Sequence, residues 1–472
     1  MTAGLAVADL VVRARDGTRP VDGVSFRLSP GVPMTLLGET GSGKTLIAEA
    51  IMGTLAADLV ATGSITLEGR ELLAAGGVDR RRLWGRRLAL LPQEPWLALD
   101  PTMRAAGQVS EVFRSVRRLG AAEAAARTAS SLATVGLAGA ARAFPFQLSG
   151  GMAQRLAFAA TAAGEAPLLI ADEPTKGLDA TLRDGIAALL HRHAASGGML
   201  LAITHDVTLA RALGGAAAIL REGRVVEAGP AERVLGAPAH PYARRLLAAE
   251  PSAWPEAAHP PPGRTVVAAR SIAKRYGAWP LFSGLSLALA AGETVAVTGP
   301  SGAGKTTLGN ILVGLVRPDS GTVIREAGGA RTRYQKLWQD TSAAFARRVP
   351  LGRLMEDLAR LHGIPAARIE ALLARLRLAP ALLGRGADAI SGGELQRFAL
   401  ARALLLEPLF LFADEATSRL DPISQQETLA LLAETAAERG LALLLVTHDA
   451  VIAAKMARRS IVIEGGTARA AC

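Results

Sequence analysis

The chain has one cysteine, Cys472, its last residue. A lone thiol builds neither a disulfide framework nor a cysteine metal cluster within one chain, which points to a cytoplasmic compartment. No run of 18 or more apolar residues is free of charge, so no helix is expected to span a bilayer. The opening Met1-Thr2-Ala3-Gly4-Leu5-Ala6 lacks a basic stretch before its apolar residues, and no secretory signal is expected there. Lysine is scarce too: six among 53 Lys plus Arg. The arginines are scattered, without a long block or interleaved aromatics. The net charge of +11 therefore reads as an arginine-biased surface that would also suit an anionic leaflet, and not as a nucleic-acid binder.

What is present is a repeat. At 472 residues, half apolar and 20% charged, the chain has room for two to four globular domains. Gly38-Glu39-Thr40-Gly41-Ser42-Gly43-Lys44-Thr45 recurs as Gly299-Pro300-Ser301-Gly302-Ala303-Gly304-Lys305-Thr306. Leu148-Ser149-Gly150-Gly151 recurs as Ile390-Ser391-Gly392-Gly393, and an apolar run ending in Asp172-Glu173 recurs before Asp414-Glu415. The same motifs in the same order, twice, set the architecture before any composition argument. Two of the six lysines fall at the same place in the two glycine-rich loops, where a compact ammonium acts as a point charge.

The first copy spans 1–250 and the second 265–472, joined by the proline-rich stretch 251–264, which suits a semi-rigid linker. Pro33–Leu37, Thr294–Thr298, Met199–Thr204 and Ala442–Thr447 read as buried strands, and Leu46–Met52 reads as a helix. Such alternation predicts an α/β fold with a mostly parallel sheet covered on both faces, built twice. Residues 100–147 and 340–389 carry Ala, Leu and Arg at helical spacing and read as a helical insert in each copy.

The glycine-rich loops have the pattern of a phosphate cradle. Glycines let backbone amides and a helix N-terminus face the phosphates, Lys44 and Lys305 reach the β- and γ-phosphates, and Thr45 and Thr306 offer a hydroxyl to Mg²⁺. Asp172 and Asp414, at strand ends, suit Mg²⁺ directly or through water. Glu173 and Glu415 are placed to polarise the attacking water as general bases. His191 and His193 lie two apart, on different sides of a helical segment, and are not read as ligands.

The Ser-Gly-Gly motifs, occurring with the phosphate loops, resemble the signature of the ATP-binding cassette ATPases, and the resemblance covers nearly the whole chain. It implies a β-subdomain and an inserted helical subdomain in each copy. It also implies two composite sites in which the signature residues Ser149, Gly150 and Gly151, or Ser391, Gly392 and Gly393, cap a nucleotide held by the opposite cassette. Gln93 and Gln339 resemble the Q-loop glutamines that contact Mg²⁺ or water. His205 and His448, each in a Thr-His-Asp context, resemble the γ-phosphate switch residues, and Asp179 and Asp421 match the loop between cassettes. The family stacks adenine on an aromatic residue. Tyr276 holds that position in the second copy, whereas the first shows Val12-Arg13-Ala14-Arg15.

Phe146–Met152, Asp414–Ser418 and the segment Ala237-Pro238-Ala239-His240-Pro241-Tyr242 before Leu246-Leu247 are similar to the oligopeptide, dipeptide and nickel importer ATPases. That resemblance implies ATP and Mg²⁺ as cofactors, two membrane-spanning permease subunits, an extracytoplasmic substrate-binding protein, and a peripheral place on the cytoplasmic side of the inner membrane. The cargo would be a peptide, nickel or a metal chelate. Some relatives carry tail cysteines for an iron–sulfur cluster, which this chain lacks. The second copy ends too soon after His448 for a second tail, and Asp340-Thr341 replaces the usual Asp-Pro. The competing readings are a soluble double-cassette ATPase acting on the ribosome and a double-cassette sugar importer. The first normally carries a long charged linker and an Asn-His-Leu-Asp motif, and the second commonly has one degenerate site.

Overall fold

A computed structural model describes residues 4–73, 79–176, 178, 180–257, 259–277, 279–300, 302–326, 330–418 and 420–471. The chain divides into two compact units, Met1–Leu247 and Ala248–Cys472.

In the first unit an antiparallel sheet holds Val21–Leu28, Leu5–Ala14, Leu59–Leu67 and Arg70–Glu71, in that order. A second sheet of six strands runs Arg224–Pro230, Ala216–Arg221, Met34–Gly38, Met199–Thr204, Leu168–Asp172 and Leu88–Leu91. All pairings in it are parallel except that between Ala216–Arg221 and Arg224–Pro230. Its central strands Met34–Gly38, Leu168–Asp172 and Met199–Thr204 are buried at every position. That burial explains why they read as continuous apolar runs and not as alternating ones. Helices Ala105–Ser115, Ala121–Thr134 and Gly150–Ala162 build a separate layer around Val109, Phe113, Leu132 and Leu156.

The second unit repeats the plan. Trp279–Ala290, Thr265–Tyr276 and Ser320–Arg325 form the antiparallel sheet. Tyr334–Leu337, Phe410–Asp414, Ala442–Val446, Thr294–Thr298, Arg459–Glu464 and Thr467–Ala471 form the main one. Its helical layer is Leu351–His362, Ala366–Arg375 and Gly392–Leu405.

The stretch 251–264, expected as a linker, packs along the second unit. Trp254 is buried in that unit's core, and its indole N–H donates to the Ala249 carbonyl at 2.9 Å. The Ala257 amide donates to the Lys455 carbonyl at 2.8 Å, and the Gly263 amide to Ala291 at 2.9 Å. The prolines keep the segment extended, but burial of an indole outweighs the freedom of a tether.

Candidate active sites

Both phosphate loops leave the C-terminal end of a buried strand and open a helix, Lys44–Met52 or Lys305–Val313. Gly43 and Gly304 precede these helices at φ 94° and 98°, in the left-handed region. A Cβ at Gly43 would lie 2.3 Å from the Pro20 carbonyl oxygen, so only glycine closes this turn. The turn points both lysines back into the loop. Lys44 Nζ donates to the carbonyls of Gly38 at 2.8 Å and Glu39 at 2.7 Å, and to Ser42 Oγ at 3.3 Å. Lys305 Nζ donates to Gly299 at 2.8 Å and Pro300 at 3.0 Å. The ammonium is thus held at the N-terminus of the helix, a position that suits an anion.

Around Lys44 lies a cleft of about 150 Å³, lined by Thr40, Gly41, Gly43, Thr45, Gln93, Glu173 and Lys176. The structure so brings the loop, the Q-loop glutamine and the strand-end carboxylate to one place. Glu173 and Glu415 sit at φ 49° and 48°, unusual for side-chain-bearing residues. The bend follows directly on the strands and sets each carboxylate against its histidine. His205 Nδ1 lies 2.8 Å from Glu173 Oε1, and Thr204 Oγ1 donates to Glu173 Oε2 at 3.3 Å. In the second site His448 Nε2 lies 2.5 Å from Glu415 Oε1, and Gln339 Nε2 donates to Oε2 at 2.8 Å.

The two carboxylates of the first site titrate apart. Burial alone would raise Glu173, but His205, Lys44 and Lys176 outweigh it and hold the group below the ordinary carboxylate range. Asp172 goes the other way. Burial, with the charges of Glu173 and Glu49 added, pushes it up to about 6 against the hydrogen bond from Thr45 and the charge of Lys44. One of its oxygens, Oδ1, is buried without a hydrogen-bond partner. A buried anionic oxygen beside a threonine hydroxyl is a donor set that fits Mg²⁺. In the second site Asp414 has both oxygens engaged: Oδ1 accepts from Thr306 at 2.9 Å, and Oδ2 pairs with Lys336 at 2.8 Å.

The signature serines are helix N-caps. Ser149 Oγ accepts from the Met152 amide and Ser391 Oγ from the Glu394 amide, each at 3.3 Å. Glu394 also reaches back to the Ser391 amide at 2.9 Å, a reciprocal box that Met152 cannot form. Ser149, Gly150 and Gly151 do not line the cleft around Lys44. Tyr276 ends its strand half exposed, paired across the hairpin with the exposed Trp279 and 5.5 Å from Lys274 Nζ. Ser301 and Asp179 lie outside the described residues. Asp421 N-caps helix Pro422–Arg439.

Sequence reasoning missed the tail's contact with the loop. The Glu39 amide donates to the Tyr242 hydroxyl at 3.2 Å. Tyr242 is buried under the Arg221 guanidinium, 5.2 Å from its ring. Glu227 fixes the segment by accepting from the Ala239 and His240 amides, each at 2.9 Å.

A buried lysine in a strand–loop–helix turn, a strand-end Asp-Glu pair and a histidine held on the glutamate occur in both units. Residues 21–176 and 282–418 match the profile of the ABC transporter family, and the chain belongs to it as an ATPase with two cassettes. It is 33% identical to the Peptidoglycan transport ATP-binding protein YejF of Agrobacterium fabrum, over 98% of this chain and 91% of that one. It is 31% identical to the Glutathione import ATP-binding protein GsiA of Escherichia coli, over 94% and 81%. Among solved structures, one titled RNase-L Inhibitor matches 98% of this chain and 90% of its own at TM-score 0.66, with 20% identity, a likeness of fold alone.

Proposed function

We propose that the chain is the ATP-hydrolysing component of an importer, driving uptake of a peptide or a peptide-like compound such as glutathione through separate permease subunits. The observation that carries this reading is the His-Pro-Tyr tail lying on the first phosphate loop, together with full-length relatives whose names specify peptidoglycan and glutathione transport. Nickel and metal chelates have no counterpart in those names. Among the described residues no helix is long and apolar enough to cross a membrane, so the passage itself would be formed by other chains. An extracytoplasmic binding protein would deliver the cargo, and the ATPase would sit on the cytoplasmic face of the inner membrane.

In each site the loop amides and Lys44 or Lys305 bind and orient the phosphates. Glu173 or Glu415, held by His205 or His448, takes the proton of the attacking water. Asp172 with Thr45, and Asp414 with Thr306, would face Mg²⁺, with Gln93 and Gln339 at its edge. When bound, the ion supplies charge neutralisation across the phosphates. Each Ser-Gly-Gly is read as the cap for a nucleotide held by the other cassette. The test is uptake of labelled glutathione and of a labelled short peptide in cells lacking this chain, complemented by wild type or Lys44→Ala. Loss of uptake restored only by wild type is expected. Normal uptake of both, with nucleotide-dependent sedimentation on ribosomes, would overturn the reading in favour of a ribosome factor.

A further inference from the structure

The two sites differ most where the strand next to the strand-end aspartate passes behind it. In the second unit Lys336 stands opposite Phe412 in register, two positions before Asp414. In the first, Leu90 stands opposite Ile170, two positions before Asp172. Lys336 is a buried ammonium with a complete set of neighbours. It pairs with Asp414 Oδ2 at 2.8 Å and donates to Asn310 Oδ1 at 3.0 Å. It also lies 4.3 Å from the Trp338 ring and 4.9 Å from the Phe412 ring. Apart from the aspartate itself, each neighbour differs in the first unit: Glu49 stands where Asn310 does, Pro92 where Trp338 does, and Ile170 where Phe412 does. Room for the Phe412 ring comes from Gly309, whose added Cβ would fall 2.2 Å from it; the first unit has Ala48 there. Five matched changes are the mark of a built cation site and not of a stray lysine.

We propose that Lys336 is a resident counter-charge that makes nucleotide binding at the Lys305 site largely independent of divalent metal, while the Lys44 site requires it. Around Asp172, two further carboxylates, Glu173 and Glu49, add negative charge, and Lys44 and Lys176 are the ammonium groups at that cleft, two against three carboxylates. Around Asp414 the ammonium already offsets the carboxylate, and Asn310 brings no charge. A triphosphate without its metal is therefore repelled at the first site and tolerated at the second.

The inference rests on Asp172 and Asp414 being the residues that face Mg²⁺. The experiment is equilibrium binding of a fluorescent ATP analogue to the full chain, in Mg²⁺ and in EDTA. One site is silenced at a time, by Lys44→Ala or by Lys305→Ala. EDTA should weaken the Lys44 site by about a hundredfold or more and the Lys305 site by about tenfold or less. Lys336→Met should bring the Lys305 site to the behaviour of the Lys44 site. Should Lys336→Met fail to fold, Leu90→Lys with Glu49→Asn decides instead, since it should confer EDTA-tolerant binding on the Lys44 site. Equal metal dependence of the two sites, unchanged by these variants, overturns the role of Lys336. Metal-independent binding at the Lys44 site refutes instead the underlying assignment of Asp172.

Discussion

Replacing the strand-end aspartates by asparagine should have opposite consequences in the two units. Asp172 is 3% exposed, and its carboxyl is moved from an ordinary 3.8 up to about 6 by burial and by its acidic neighbours. The folded first unit therefore keeps its proton over a range where the unfolded chain has lost it. Stability falls as pH rises from about 4 to about 6 and stays lowered above that. At about 1.4 kcal/mol for each pH unit of displacement, an ionised Asp172 costs the metal-free unit about 3 kcal/mol. Asp172→Asn removes that cost, so at pH 8 in EDTA the first unit should gain up to about 3 kcal/mol, and little at pH 4. Asp414 is as deeply buried but paired with Lys336. Asp414→Asn strands the ammonium and should destabilise the second unit by about 3–5 kcal/mol. The assay is urea denaturation of nucleotide-free protein at both pH values, with the transitions of the two units resolved. A loss of stability on Asp172→Asn at pH 8, or the same sign for both substitutions, would refute the electrostatic account.

Three further outcomes are expected. Glu173→Gln and Glu415→Gln should each slow ATP hydrolysis at their own site by about 10²–10⁴-fold while ATP binding persists, measured with the other site silenced. Tyr242→Phe removes the acceptor of the Glu39 amide and should weaken ATP binding at the Lys44 site by about two- to tenfold, as a net hydrogen bond of about 1 kcal/mol would. Trp254→Ala should cost the second unit about 3–5 kcal/mol in thermal or chemical unfolding and leave the first unit unchanged, because the indole is buried in the second unit's core.

What the sequence disclosed, and what it hid, follows from the range of the interactions. The phosphate loops, the Asp-Glu strand ends and the serine caps are set by a few consecutive residues. Their glycines and apolar runs are therefore legible where they stand. The central strands were legible for the same reason, since a parallel strand buried on both faces is an unbroken apolar run. Lys336 was not. It lies in a four-residue strand, and its meaning comes from a partner 78 positions further on, to which only the sheet register brings it. Tyr242 was recognised as part of a tail, yet its hydroxyl's place on the phosphate loop depends on a contact across 203 residues. Trp254 was passed over among prolines; a large aromatic in a supposed tether was the available signal that the segment is docked.

The hydrogen bond between Glu39 and Tyr242 also bears on the order of assembly during translation. The loop that holds ATP in the first unit leaves the ribosome early, and the residue that completes its support is made 203 residues later. A nascent first unit therefore remains an imperfect nucleotide trap until its last helix, Pro241–Ala248, has emerged and folded back. When Ala248 is added to the chain, the second phosphate loop, at 299–306, is only about fifty residues from being synthesised. The tail thus completes the support of the first phosphate loop only shortly before the second loop is made.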